Sequence, residues 1–108
     1  MSVTGDWKSA VITVATNATE TVEADLGRAY DLMQIDMPTL AVSCSLSVKV
    51  SKTTGGAFKS LGNSVASNVG TGNIQDVFKI YGHRYIKLVS SQTQTGTTHT
   101  FNVRGIGL

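Results

Sequence analysis

One short stretch constrains the fold of this chain more than any other, because its polar and apolar residues alternate strictly. In residues 42–50 every even-numbered position is apolar, from Val42 through Cys44 to Val50, and every odd-numbered position is polar. Successive side chains of a β-strand point to opposite faces, so this period of two predicts a strand with one buried face. A helix would scatter the same apolar residues around its whole circumference. Cys44, the only cysteine, is therefore expected to be a buried small side chain and not a nucleophile.

Further segments alternate in the same way, and turn signals separate them. The alternating apolar sets are Val22, Ala24 and Leu26; Met33, Ile35 and Met37; Phe101 and Val103; and part of residues 11–14. Residues 85–89 are almost continuously apolar, which is typical of a central strand. Turns are predicted at residues 27–29, at Pro38, and at residues 53–56 and 92–96. The sequence thus predicts an all-β fold, an antiparallel β-sandwich or jelly roll of about seven to eight strands.

The length of 108 residues fits one domain of common size. We expect a polar N-terminal arm at residues 1–8 and a single β-sandwich domain at residues 9–108. Trp7 is the only aromatic residue of the arm, and it either folds back onto its own core, which we favour, or inserts into a partner. Residues 62–73 are small, polar and punctuated by glycine, so an exposed loop is predicted there.

Charge and composition disfavour several classes of function. The net charge is +2 without a basic run, which disfavours binding to nucleic acid or to an anionic membrane. No stretch is apolar enough for a membrane span or a signal peptide, so we expect synthesis in a cytoplasm. Glu23 and Asp25 are expected to be solvated neighbours, and His83 and His99 lack a third metal ligand. We therefore expect no catalytic residues, no metal, no cofactor and no enzymatic activity.

Four segments of the chain resemble a known family. They are Asp25-Leu26-Gly27, the hairpin at residues 51–61, the strand entrance at residues 82–88 and residues 101–105. In this order they resemble the discoidin-like, galactose-binding-like jelly roll, a resemblance that covers the chain from about residue 20 onward. Thr54 stands where that family usually has an aspartate before the glycine of the hairpin. The resemblance implies a jelly roll and, as one alternative, a carbohydrate-binding module.

The Thr- and Gly-rich strands, low charge and lack of disulfides are also similar to those of small virion proteins of tailed bacteriophages. That resemblance implies a structural protein that decorates or stabilises the capsid, made in the host cytoplasm and located in the virion. Its partners would be the major capsid protein and copies of itself, as a homo-oligomer. The alternative is a carbohydrate-binding module or a tail or fibre component that recognises a host glycan. The predicted interface residues are Trp7, Arg28, Thr53, Thr54, Gly55, Gly56, Asn63, Asn68, Asn73 and Arg104.

Overall fold

Eight β-strands form the regular structure of the parts of the chain that the computed structural model describes, residues 3–61 and 66–107. The strands are β1 (Val3–Thr4), β2 (Lys8–Thr13), β3 (Ala24–Asp36), β4 (Thr39–Ser51), β5 (Lys59–Ser60), β6 (Ser67–Gly72), β7 (Gln75–Ser90) and β8 (Thr98–Gly107). All paired strands are antiparallel, and the described ranges contain no helix. The predicted class, an all-β antiparallel sandwich, is confirmed.

Two long strands, β3 and β7, run through both layers of the sandwich. The hydrogen-bonded order is β1-β8-β3-β7-β4-β5, with β2 also on β8 and β6 also on β4. The second half of β3 pairs with β8 and with the first half of β7, as in the pair Met33–Phe78. The second half of β7 pairs with β4, as in the pair Val48–Leu88, and on its other side with the start of β3, as in the pair Ala24–Ile86. One continuous sheet therefore folds over on itself, a closure that strands crossing from layer to layer make possible.

The fold-over is made by backbone that bends without ending the strands. In β3, Gly27 has a φ of +93°, and the pairing with β7 shifts register on both sides of Tyr30. In β7, Tyr81 and Gly82 have φ of +51° and +83°. Such left-handed residues inside a strand produce a bulge and a change of direction. The prediction of a turn at residues 27–29 between two separate strands is therefore wrong, because the glycine bends a single strand.

The buried face follows the alternation of the sequence. Leu46, Met33, Ile35, Phe101 and Val103 have no exposed surface. Cys44 is buried, as predicted, and the end of β3 at Asp36 agrees with the expected stop at Pro38.

Val22 breaks the expected alternation. Its side chain is 53% exposed, because β3 begins only at Ala24 and Val22 belongs to the preceding connection, where its N–H donates to the carbonyl of Val11.

Residues 62–73 are not one loop. Ser67–Gly72 forms β6 on the edge of β4, with Val69 buried against the core. The prediction of an exposed loop fails here because the backbone of these residues pairs with β4 and Val69 is buried. Gly70 and Gly72 supply left-handed backbone at irregular positions of the strand. Residue Asn63 of the predicted interface lies outside the described residues.

The described part of the arm is joined to the sheet. Val3 and Thr4 pair with Gly107 and Ile106, and the N–H of Gly5 donates to the carbonyl of Gly105 at 2.9 Å. Backbone pairing therefore ties these residues of the predicted arm to β8. The division into an arm at residues 1–8 and a domain at residues 9–108 stays a prediction.

A buried glutamine fixes the connection between β7 and β8. Gln94 is 1% exposed, and its side-chain amide both accepts from the N–H of Val42 at 3.0 Å and donates to its carbonyl at 2.9 Å. The side-chain amide of Gln94 thus bonds both backbone groups of Val42, as a residue of a neighbouring strand would, and this holds residues 92–96 against the start of β4. The predicted connection between the last two strands is confirmed at this place.

Candidate functional site

The outward surface of one layer brings three strands side by side. We define the outer face as the cross-strand rows Val77–Gln34–Arg104, Lys79–Leu32–Ile106 and Gln75–Asp36–Asn102, together with Tyr81 and Trp7. Residues directly opposite each other in an antiparallel pair lie on the same side of the sheet. Their neighbours along each strand, such as Met33, Phe78 and Val103, are buried on the inner side. The period of two thus places these rows together on the surface.

A chain of polar side chains crosses the middle of the outer face. The guanidinium of Arg104 lies 4.4 Å from the centre of the Trp7 ring and donates from Nε to Oε1 of Gln34 at 2.8 Å. Gln34 then donates from Nε2 to Oε1 of Gln75 at 2.8 Å. These contacts restrict the side chains of Trp7 and Arg104 on the surface.

Exposed apolar side chains flank this polar chain. Val77 is 51% exposed and Tyr81 is 54% exposed, while Trp7 is 41% exposed. Aromatic residues and arginine are enriched in protein interfaces, particularly where they form anchors. Tyr81 also keeps a left-handed backbone that a non-glycine residue adopts only at a cost. Strained backbone of this kind concentrates at functional positions, so Tyr81 is the residue of the outer face that most points to a role.

The first half of β7 forms an edge of the sheet. Residues 75–83 pair with β3 on one side, and within residues 3–61 and 66–107 no strand pairs with them on the other. Unpaired strand edges offer backbone donors and acceptors to an added strand. The edge adjoins the apolar residues Val77 and Tyr81, so a partner could contact the face and the edge at once.

The structure gathers only part of the predicted interface. Trp7 and Arg104 meet on the outer face, where Trp7 is 41% exposed and lies beside the Arg104 guanidinium, not against the buried core as we favoured from the sequence. Arg28 lies at the bend of β3 with its guanidinium 5.2 Å from the Tyr30 ring. Asn68 is exposed on the edge strand β6, and Asn73 is exposed in the left-handed turn before β7.

The predicted interface turn at residues 53–56 is occupied by contacts within the chain. Both oxygens of the Glu23 carboxylate accept hydrogen bonds there, from the hydroxyl of Thr54 at 2.6 Å and from the N–H of Gly55 at 2.7 Å. Gly56 donates its N–H to the carbonyl of Thr53 at 3.2 Å and closes the turn. The main polar groups of this turn therefore stabilise the hairpin.

Sequence reasoning missed Val77 and Gln34 as surface residues of interest. Alternation predicts that every second residue of β7 is exposed, so Val77 could have been found as an apolar residue at an outward position. Gln34 could not have been found in this way. Its contact with Arg104 depends on the pairing of β3 with β8, which the local sequence pattern does not specify.

Two ion pairs occur among the described residues. Arg84 donates to both carboxylate oxygens of Asp25, from Nε at 2.6 Å and from Nη2 at 3.0 Å. The hydrogen bonds from Arg84 and from the N–H of Gly27 hold the pKa of the Asp25 carboxyl below its usual range. Both partners are exposed, so the pair adds little to stability and serves mainly to orient the guanidinium. Lys49 and Glu20 form the second pair at 2.6 Å.

The titratable residues are dispersed. Within the described ranges, no three histidine, cysteine or acidic side chains come together in a way that could hold a metal ion. His83 lies at the bend, and Nε2 of His99 contacts the carbonyl of Thr95 at 2.8 Å. Among the same residues, no helix is long and apolar enough to cross a membrane.

Comparison with known proteins gives a likeness of fold. No protein-family model matches the sequence, and no curated protein matches it. The crystal structure of the SPBc2 prophage-derived protein YomS superposes with a TM-score of 0.54 at 14% identity, covering 94% of this chain and 96% of that one. A chitosan-binding module of a chitosanase/glucanase from Paenibacillus sp. IK-5 gives a TM-score of 0.48 at 16% identity, covering 77% and 66%. The capsid asymmetric unit of cyanophage Pam1 gives 0.43 at 13% identity, covering 97% and 82%. The first of these shows that this chain shares its fold with a phage-derived protein.

Proposed function

We propose that this chain is a structural protein of a tailed-phage virion, which decorates or stabilises the capsid by docking its outer face onto the major capsid protein. The observation that carries the proposal is the outer face itself. It presents Trp7 on Arg104, the exposed Val77 across Gln34 from Arg104, and the exposed Tyr81 farther along β7. Such a surface combines apolar anchors with an oriented arginine, the composition from which interface cores are built.

Two further observations support this function. The fold is shared over almost the whole of both chains with a prophage-derived protein. The described residues do not gather their acids and histidines in one cleft, and the prediction that the chain is not an enzyme is part of the proposal. Many identical weak contacts, repeated by the symmetry of a shell, add up to firm attachment. A protein of this size therefore needs only one modest docking face.

Glycan binding, the alternative, has weaker support from the described aromatic residues. Sugar rings stack on open aromatic faces, but Tyr30 is buried, and Arg84 and Arg104 lie over one face of the rings of Tyr85 and Trp7. Tyr81, which is 54% exposed, is the tyrosine left open to a sugar, whereas sugar-binding modules usually present two or more such rings.

The test begins with purified particles of the phage or prophage that encodes this chain. Quantitative mass spectrometry is expected to find the chain at a fixed ratio to the major capsid protein. Its absence from particles would overturn the proposal.

The docking face is tested by adding purified variants to particles that lack the chain. Val77→Asp is expected to lower occupancy at least about tenfold, because it buries a charge against the partner. Val22→Asp is the matched control, since Val22 is 53% exposed and Val77 is 51% exposed but Val22 lies away from the outer face. Equal loss of occupancy in both variants, or no loss with Val77→Asp, contradicts docking through this face.

A further inference from the structure

Two adjoining clefts form a groove at the bend of the sandwich. A cleft of about 600 Å³ lies between the bends of β3 and β7, and a second of about 360 Å³ lies beside the β4–β5 turn. They share Ser51, Lys52 and His83 in their walls. The left-handed backbone at Gly27 and Gly82 turns the strands away from each other here, which leaves the groove open on the surface.

The walls of this groove carry positive charge without acids. The charged side chains that line the two clefts are Arg28, Lys52, Lys59 and Arg84, and among the described lining residues there is no carboxylate. Of these four residues, only Arg84 belongs to one of the described ion pairs, in which its partner is Asp25. Lys52 and Lys59 thus have no carboxylate beside them among the described lining residues, whereas Arg28 also lines a neighbouring cleft together with Asp6 and Lys8. The groove is therefore cationic, although the net charge of the whole chain is only +2.

The two arginines are already oriented. The guanidinium of Arg84 is held by Asp25 and lies 5.1 Å from the centre of the Tyr85 ring. The guanidinium of Arg28 lies 5.2 Å from the centre of the buried Tyr30 ring. Because stacking restricts these long side chains before a ligand binds, less side-chain entropy is lost when they meet an anion.

We propose that this cationic groove, defined by Arg28, Lys52, Lys59, His83 and Arg84, binds an acidic segment of a partner protein. Carboxylates match the planar fork of arginine and the ammonium groups of lysine. An anionic sugar is disfavoured because Arg84 lies over the face of Tyr85, the only phenylalanine, tyrosine or tryptophan ring among the described residues of the groove walls. Nucleic acid is disfavoured because tight binding needs many phosphate contacts and the groove offers four permanent cations. The proposal stands on this geometry and does not depend on a location in the virion.

The experiment is an NMR titration of the isotope-labelled protein with an acetylated hexaglutamate peptide at low ionic strength. Backbone signals of Lys52, Gly82 and His83 are expected to shift, and the affinity is expected to fall as salt is added. The double variant Arg28→Gln/Lys52→Gln is expected to bind the peptide at least about tenfold more weakly. Both side chains are exposed, so the fold should survive, as a circular dichroism spectrum will show.

The control variant is Lys8→Gln combined with Lys87→Gln, which removes the same total charge from residues that line neither cleft of the groove. This control is expected to bind the peptide as the unchanged protein does. Equal weakening in both double variants shows attraction to net charge alone and overturns the proposal. The absence of shifts at the groove overturns it too, as does tighter binding of a sulfated oligosaccharide or a single-stranded oligonucleotide in the same groove.

Discussion

Glycine is required at position 105 because the ring of Tyr30 occupies the space where a Cβ atom would lie. A methyl group built on Gly105 would overlap Tyr30, and one built on Gly5 would contact the Tyr30 hydroxyl. The tyrosine ring is thus enclosed between the two glycines, and the guanidinium of Arg28 lies over it. Gly5 and Gly105 carry no side chain, and the space that this leaves is filled by the large ring of Tyr30.

Replacing Gly105 by alanine is therefore expected to destabilise the fold by about 2–3 kcal/mol, the cost of overpacking a core that cannot move aside. The measurement is the urea midpoint, with Thr100→Ala, an exposed change in the same strand, as the control. In a Tyr30→Ala background the penalty of Gly105→Ala should shrink, because the clashing ring has been removed. An unchanged penalty in that background contradicts the assigned contact.

The bend of β7 illustrates what happens at the scale of an element. Tyr81 and Gly82 are consecutive left-handed residues, and only the second is of a type that adopts this backbone freely. The strand keeps its alternation on either side, from Phe78 and Ile80 to Ile86 and Leu88, all of which are buried. Two residues thus redirect the strand from one layer to the other while both ends remain in register with their neighbours.

A pair of substitutions at this bend is expected to act in opposite directions. Gly82→Ala should lower the free energy of unfolding by about 1–2 kcal/mol, because the new side chain strains the left-handed backbone. Tyr81→Asn should leave stability equal or higher, because asparagine tolerates this conformation better and the tyrosine ring is largely exposed. Chemical denaturation measures both. A stable Gly82→Ala variant, or a clearly destabilised Tyr81→Asn variant, contradicts this account of the bend.

The elements also show where local pattern suffices and where it fails. Alternation predicted β4 and the buried residues of β8, because each side chain's face depends only on its own position along the strand. It failed at residues 27–29 and at β6, since a glycine that bends a strand and a glycine that ends one have the same local sequence. For the outer face, the sequence predicted Trp7 and Arg104 as interface residues but did not predict that they touch each other. Their contact depends on the pairing of β2 and β8, and the cationic groove depends on strands far apart in the chain.

At the scale of the whole molecule, the arm and the sandwich are expected to unfold together. Trp7 lies between β1 and β2, which both pair with β8, and it is the only tryptophan. Its fluorescence therefore reports on the attachment of the arm, while far-ultraviolet circular dichroism reports on the strands. The two signals should give the same urea midpoint in a single transition, as small domains usually do. An earlier fluorescence transition would show that the arm detaches first.

The passage of β3 and β7 through both layers has a mechanical consequence. In a sandwich whose layers are joined only by loops, tension across the layers falls on side-chain packing alone. Here two covalent backbones cross from one layer to the other, each reinforced by hydrogen bonds on both sides of its bend. Pulling the layers apart would require breaking rows of backbone hydrogen bonds in shear. A sandwich of this design should therefore withstand sustained force applied across its two layers.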